Sequence, residues 1–426
     1  MNSSRLIEEE DVIRRFIRYA KIDTASSEDS GTHPSTEKQK DLGRLLVREL
    51  EEIGAADIFY DEEHNYVYAS IPATDKLSER PVIGLISHMD TSQEAPGHDV
   101  VPVFTYNYDG GDIALGDDGM ILSPVKFPEL ANYIGRTIIH TDGNSLLGAD
   151  DKAGIAEIMS LAKLLCEDCR KDDPRYIHGK IAIAFTSDEE IGEGVEFFDL
   201  ERFGADYAYT VDGGGEGGLE YENFNAASAK ILIKGVSVHP GDAKGKMINA
   251  ASLAAQFQAG LYPNERPENT EGYEGFYHLT SINGNIEESE LHYIIRDHDK
   301  ERFEQRKKMI TARADEFNCR YGKGTVTIEI KDQYYNMKEV IDPDNMFLID
   351  KASQAMRDNG ITPVITPIRG GTDGAMLSFK GLPCPNLYTG GHNYHGRYEY
   401  CVAEVMVDMV KVLADLICSL GADNRS

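Results

Sequence analysis

The sequence predicts an α/β protein: a large domain with a central mixed sheet flanked by helices, and a small α+β domain inserted into it. Three observations carry this. Continuous apolar runs such as Pro81-Val82-Ile83-Gly84-Leu85-Ile86-Ser87 and Ile181-Ala182-Ile183-Ala184-Phe185 alternate with amphipathic helical stretches. Runs of that kind are strands buried on both faces, as in a parallel sheet between layers of helix. Residues 227–331 spell β-α-β-β-α-β, a ferredoxin-like unit complete in itself. And 426 residues are too many for one simple core. The expected division is 1–222 with 338–426 for the large domain and 223–337 for the insert.

In chain order, Val12, Ile13, Phe16, Ile17 and Ala20 recur at helical spacing. A second helix runs from the cap signal Ser35-Thr36-Glu37 to Gly54. Residues 65–71 and 81–87 are strands, and the latter ends in His88-Met89-Asp90-Thr91. Residues 93–135 show no pattern. A strand at 138–141 precedes Leu146-Leu147-Gly148-Ala149-Asp150-Asp151, which places Asp150 at the N-cap of a helix. That helix shows Ile155, Ile158, Met159, Ala162 and Leu165 on one face. The strand at 181–185 ends in Thr186-Ser187-Asp188-Glu189-Glu190-Ile191-Gly192, and the strand at 207–211 in Asp212-Gly213-Gly214-Gly215. The insert reads as strand 227–234, helix 247–261, strands 278–287 and 290–296, helix 301–317 and strand 324–331. A helix at 343–358, a strand at 363–368, a glycine-rich loop through Arg369, a strand at 385–389 and a helix at 402–420 complete the chain.

Hydrophobic residues make up 41% and charged residues 27%, as in ordinary soluble proteins. A net charge of −30 argues against nucleic acid or an anionic membrane as partner, because both require a basic face. No apolar run approaches a membrane span. Residues 1–10 are polar and acidic, without a signal-peptide pattern. Six scattered cysteines read as reduced thiols, so a cytoplasmic location is expected. Cys166 and Cys169 form a CxxC with no second pair, which reads as incidental.

The acidic and histidine motifs follow predicted strands or lie in glycine-rich loops. In α/β sheets, ligands bind beyond the carboxyl ends of strands. His88 and Asp90, two apart, point to one side, so Asp90 can hold the far nitrogen of a metal-bound His88. Asp150 fits between two metals. Of Glu189 and Glu190, one can bind metal while the other takes a proton from water. Asp212 precedes three glycines that leave room for a ligand. His395 is a ligand candidate in Gly390-Gly391-His392-Asn393-Tyr394-His395-Gly396, and His392 competes with it. The Arg369 loop lacks the spacing of a phosphate loop and suits a carboxylate. Singly, these motifs have plainer readings: helix caps, a surface His–Asp pair, an acidic helix start. Together they favour a metal site.

HMDT, GADDKAG, DEEIG, VDGGG and NYHG, in this order, resemble the M20 di-zinc metallopeptidases. GGDIAL, LEYENFNAAS, VHPGDAKG, EGYEGFYHL, LHYIIRD, YYNM, PIRGGTDGA and GLPCPNL extend the likeness over nearly the whole chain, nearest to the tripeptide aminopeptidases of that family. The resemblance implies two Zn²⁺ per subunit. His88 and Asp212 would complete one site, Glu190 and His395 the other, with Asp150 bridging. Asp90 would orient His88, Glu189 would be the general base, and the Asp150–Asp151 peptide would be cis. The insert would be a lid that pairs two chains into a homodimer. His239 would stabilise the oxyanion, and Arg296 and Arg369 would hold substrate carboxylate or backbone oxygens. The implied reaction is hydrolysis of the N-terminal residue from tripeptides by a two-zinc-activated water. Rivals are a dipeptidase, a carboxypeptidase-like enzyme, an N-acyl amino acid deacylase and a non-catalytic scaffold; Glu189 counts against the last.

Overall fold

The apolar runs form the middle of an eight-stranded mixed sheet. The structure is a computed structural model that describes residues 7–74, 80–117 and 119–420, so the reading of residues 1–10 lies partly outside the described residues. The strands are β1 (Ala56–Asp61), β2 (Tyr66–Ile71), β3 (Ile83–His88), β4 (Ile181–Thr186), β5 (Tyr207–Gly213), β6 (Gly218–Glu220), β7 (Val364–Ile365) and β8 (Asn386–Tyr388). Their order across the sheet is β1-β2-β4-β3-β5-β8-β6-β7. The inner four, β4, β3, β5 and β8, are parallel. β1 and β2 continue one side antiparallel.

Every residue of β3 and β4 is buried, because both faces are covered. Leu85, Ile183 and Val211 join a core with Phe16 and with Ile155, Ile158 and Met159 of the Ala149–Asp168 helix. Ile86, Ala182 and Ala184 face the other way, onto Phe203 and Leu377. Among the described residues no helix is long and apolar enough to cross a membrane.

Residues 93–135 are less irregular than the sequence suggests. They hold strands Val103–Thr105, Ile113–Leu115 and Met120–Leu122. Three residues are too few to show a period. The first pairs with Ile138–His140, next to Tyr400–Val402 and Gly391–His392 in a small sheet.

Contacts divide the chain into two units. One comprises Met1–Tyr221, Val340–Thr366 and Thr372–Ser426; the other comprises Glu222–Glu339 and Pro367–Gly371. The second unit is an antiparallel sheet in the order Phe276–Gly284, Glu288–Asp297, Asn225–Lys234, Val326–Tyr334. Helices Ala250–Ala259 and Lys300–Tyr321 supply Leu253, Phe257, Phe303 and Phe317 to its core. The division differs from the sequence reading at residues 367–371. Arg369 draws this segment into the second unit by donating to the carbonyls of Thr270, Gly272 and Glu274.

Glu157, on the Ala149–Asp168 helix, is fully buried, and neither oxygen has a hydrogen-bond partner among the described residues. Burial pushes its pKa well above the ordinary glutamate range. The folded protein therefore holds the proton, while the unfolded chain releases it above about pH 4.3, so stability is lost as pH rises. Glu157→Gln is expected to be more stable than wild type by about 1–3 kcal/mol at pH 8, and by less at pH 5.5. Urea melts at both pH values check this, and an equal shift at both would exclude the explanation.

Candidate metal centre

The carboxyl ends of the parallel strands bring the motifs together. β3 ends on His88, level with Thr186 at the end of β4. Glu189–Ile191 follow β4 as one 3-10 turn. Asp212 lies near the end of β5. His395 lies in the loop between Gly391–His392 and Tyr400–Val402.

Asp150 enters on a turn. Gly148 has φ 76°, a left-handed conformation open to glycine at little cost. Asp150 and Asp151 are non-helical, and the peptide between them is cis. Asp150 does not take the expected capping role. Asp151 caps instead: its Oδ1 accepts from the Gly154 N–H at 3.2 Å, and its Oδ2 accepts from the His88 N–H at 3.3 Å. A Cβ on Gly154 would lie 1.8 Å from the Val211 carbonyl oxygen, so only glycine lets the helix approach β5 this closely.

The Asp150 carboxylate turns the other way. Its Oδ1 is 2.9 Å from His88 Nε2 and its Oδ2 is 3.3 Å from His395 Nε2. His88 Nε2 lies 3.5 Å from Asp212 Oδ1, and His395 Nε2 lies 2.9 Å from Glu190 Oε2. Two groups result, His88 with Asp150 and Asp212, and Asp150 with Glu190 and His395. In each, the donor atoms lie within 4.8 Å of one another. His88 Nδ1 donates to the Asp90 carbonyl at 3.0 Å, which aims Nε2 at the cluster. The Asp90 carboxylate, 3.4 Å from the same nitrogen, accepts from the backbone N–H groups of Glu189 and Glu190. Asp90 thus ties the imidazole to the glutamate turn through both its carbonyl and its side chain. His392 lies elsewhere. It stacks on Tyr400, and its Nε2 is 2.8 Å from the Tyr133 hydroxyl.

Electrostatics point to cations. Burial pushes Glu190 up to about 7, with Asp150 adding to the effect, and pushes Asp212 up to about 8. Burial would lower His88, but Asp212, Asp150 and Asp90 outweigh it and hold it well above the usual range. Hydrogen bonds to Asp150 and Glu190 raise His395 to about 11. Burial opposes ionisation of Asp150, yet His395 and His88 hold it below the usual range. Protonated histidines and proton-retaining acids are both responses to excess negative charge in a dry site. Two divalent cations meet the same demand with neutral imidazoles. The imidazole and carboxylate donor set suits a divalent metal ion, and Glu190 Oε1 is buried without a partner among the described residues.

Residues 221–321 match the model described as the peptidase dimerisation domain. Peptidase T of Geobacillus kaustophilus (strain HTA426) is 54% identical, covering 96% of this chain and 98% of that protein. Peptidase T of Desulfitobacterium hafniense (strain DSM 10664 / DCB-2) is 54% identical over 97% and 99% of the two chains. The chain belongs to the peptidase T family. A solved tripeptidase from Staphylococcus aureus subsp. aureus Mu50 has a TM-score of 0.77 at 21% identity, covering 97% of this chain and 99% of its own. A dinuclear metal-binding peptidase of the M20 family from Bacillus subtilis has a TM-score of 0.65 at 15% identity, covering 97% and 98%. At these identities the two structures show the fold.

Three further acids support the cluster in this member of the peptidase T family, and the sequence reading missed their roles. The Asp188 carboxylate accepts from the Ser35 N–H, the Ser35 hydroxyl and the Gln39 amide. Ser35 is thereby taken from the capping role expected of it, and the helix starts only at Gln39. Asp373 accepts from the Thr186 hydroxyl at 2.7 Å. Glu399 accepts from backbone N–H groups of the Asp150 turn. Adjacency to Glu189 was the one signal for Asp188.

His239, Arg296 and Arg369 belong to the second unit. His239 is exposed, and its Nδ1 accepts from the Gly241 N–H. Arg296 donates to the carbonyls of Ala227 and Ile295 and lies against the Tyr334 ring. Arg369 lies over the Phe224 ring in addition to its carbonyl contacts.

Proposed function

We propose that this peptidase T family member removes the N-terminal residue from tripeptides with two Zn²⁺ bound. The observation that carries the reading is Glu189. It is a half-buried carboxylate on the same turn as Glu190, next to two three-donor groups that share Asp150, yet it belongs to neither. His88, Asp150 and Asp212 would hold one ion, and Asp150, Glu190 and His395 the other. Bound there, zinc lowers the pKa of water toward about 7 and polarises a carbonyl.

The remaining work falls to the protein. Glu189 takes the proton of the attacking water and passes it to the departing amine. Asp90 holds the Glu189 backbone and the His88 ring in fixed relation. His239 stabilises the developing oxyanion, and Arg296 and Arg369 hold the substrate's carboxylate or backbone oxygens. Two chains pair through the second unit, a reading supported by the dimerisation-domain match. The enzyme works in the cytoplasm, which suits six cysteines scattered along the chain.

Release of the N-terminal amino acid from an unblocked tripeptide tests this, beside a dipeptide, a tetrapeptide and an N-acetylated tripeptide. Turnover is expected for the tripeptide, and a chelator is expected to abolish it. Turnover of the blocked peptide instead would keep the metal centre and discard the aminopeptidase reading.

A further inference from the structure

We infer that Glu399 is a positioning residue that fixes Asp150 between the two donor groups. The inference rests on the metal-centre reading above. Glu399 is 2% exposed, and its carboxylate is committed to one turn of backbone. Oε2 accepts from the N–H groups of Leu147 at 2.6 Å and Gly148 at 2.8 Å, and Oε1 accepts from Asp150 N–H at 3.2 Å.

That turn needs an external partner. It opens the Ala149–Asp168 helix with a left-handed glycine and no side-chain cap at Gly148. The first N–H groups of a helix lack partners within it. Glu399 supplies an acceptor for three N–H groups of the turn that leads into this helix, Leu147, Gly148 and Asp150.

The other end of Glu399 matters equally. Its N–H donates to the Gly396 carbonyl at 3.2 Å, closing the turn that follows His395. The next residue, Tyr400, pairs with His140 in the small sheet. One residue therefore joins the loop of His395 to the loop of Asp150. These are the loops whose side chains meet where Asp150 Oδ2 lies 3.3 Å from His395 Nε2. Outer partners of this kind set ligand direction, and their loss typically weakens metal binding about 10–100-fold.

Glu399→Gln keeps the volume but has a single acceptor oxygen. It can retain the bonds to Leu147 and Gly148 only by turning an NH₂ group toward the Asp150 N–H. Glu399→Asp keeps the charge but withdraws it by one methylene. Asp168→Asn serves as control, since Asp168 is also a buried acid holding backbone, the Tyr176 N–H, but at the far end of the same helix.

The readouts are Zn²⁺ affinity, by competition with a chromophoric chelator, and the d–d spectrum of the Co²⁺ form. Both Glu399 variants are expected to lose about 10–100-fold in affinity at both positions, because Asp150 serves both. Their cobalt spectra are expected to shift, and kcat to fall more than KM rises. The control is expected to match wild type. Wild-type affinity and an unshifted cobalt spectrum in either variant would overturn the inference. So would an equal loss in Asp168→Asn, or failure of both variants to fold, since Glu399 would then act on the fold at large. Wild type that binds no metal would instead defeat the metal-centre reading, a different result.

Discussion

Glu189→Ala is expected to retain both metal equivalents and to lose about 10²–10⁴-fold in kcat, the usual contribution of a positioned general base. The argument is geometric. Glu189 and Glu190 share one turn, yet only Glu190 lies in a three-donor group, 2.9 Å from His395. Their backbone N–H groups are held by separate oxygens of Asp90, so truncating the Glu189 side chain leaves the turn anchored. Glu189→Gln extends the test. It preserves the shape and removes the ability to accept a proton, so its kcat should fall nearly as far as that of the alanine variant. Metal analysis of dialysed protein, run beside the tripeptide assay, checks both halves. Loss of metal with activity would make Glu189 a ligand; retained activity would remove it from the proton path.

Asp150→Ala should have a wider effect. Each donor group has three members, and Asp150 is the member they share. Its removal leaves His88 with Asp212, and Glu190 with His395, two donors each. Zinc sites in catalytic centres are ordinarily built from three protein ligands. Both equivalents are therefore expected to be lost on dialysis, and turnover with them. By contrast, His395→Ala and Asp212→Ala each leave one three-donor group intact and should retain about one equivalent. Titration calorimetry on the three variants separates these outcomes. Retention of two equivalents by Asp150→Ala would show that the carboxylate does not bridge.

How far these residues could be read from sequence depended on their surroundings. His88, Glu189, Glu190 and Asp212 were legible because each closes or follows an apolar run that can only be a buried strand. His395 was separable from His392 only by the resemblance. Both lie in one glycine-rich loop, and whether a side chain faces Glu190 or Tyr133 is decided by tertiary packing. That Asp151 rather than Asp150 caps the helix was not legible for a related reason. Two adjacent carboxylates before a helix are equivalent in a capping pattern until the backbone between them is known. Glu399 gave no signal, since nothing near it distinguishes it from other acids in a chain of charge −30. Arg369 was read as a ligand for carboxylate, yet part of its donor capacity goes to the Thr270–Glu274 backbone, and no local pattern announces such a long-range contact.

The small span between Asp150 and Glu399 in space hides a separation of 249 residues in the chain. Ribosomal synthesis delivers His88, Asp150, Glu190 and Asp212 long before His395. A growing chain can therefore assemble one donor group at most, and it lacks the carboxylate that steadies the Asp150 turn. On the metal-centre reading, hydrolytic capacity is expected only once the segment carrying His395 and Glu399 has been made. A chain cut short before Asn386 would also be missing β8, the strand beside β5. Fragments that stop short of His395 are thus expected to be inert toward peptides.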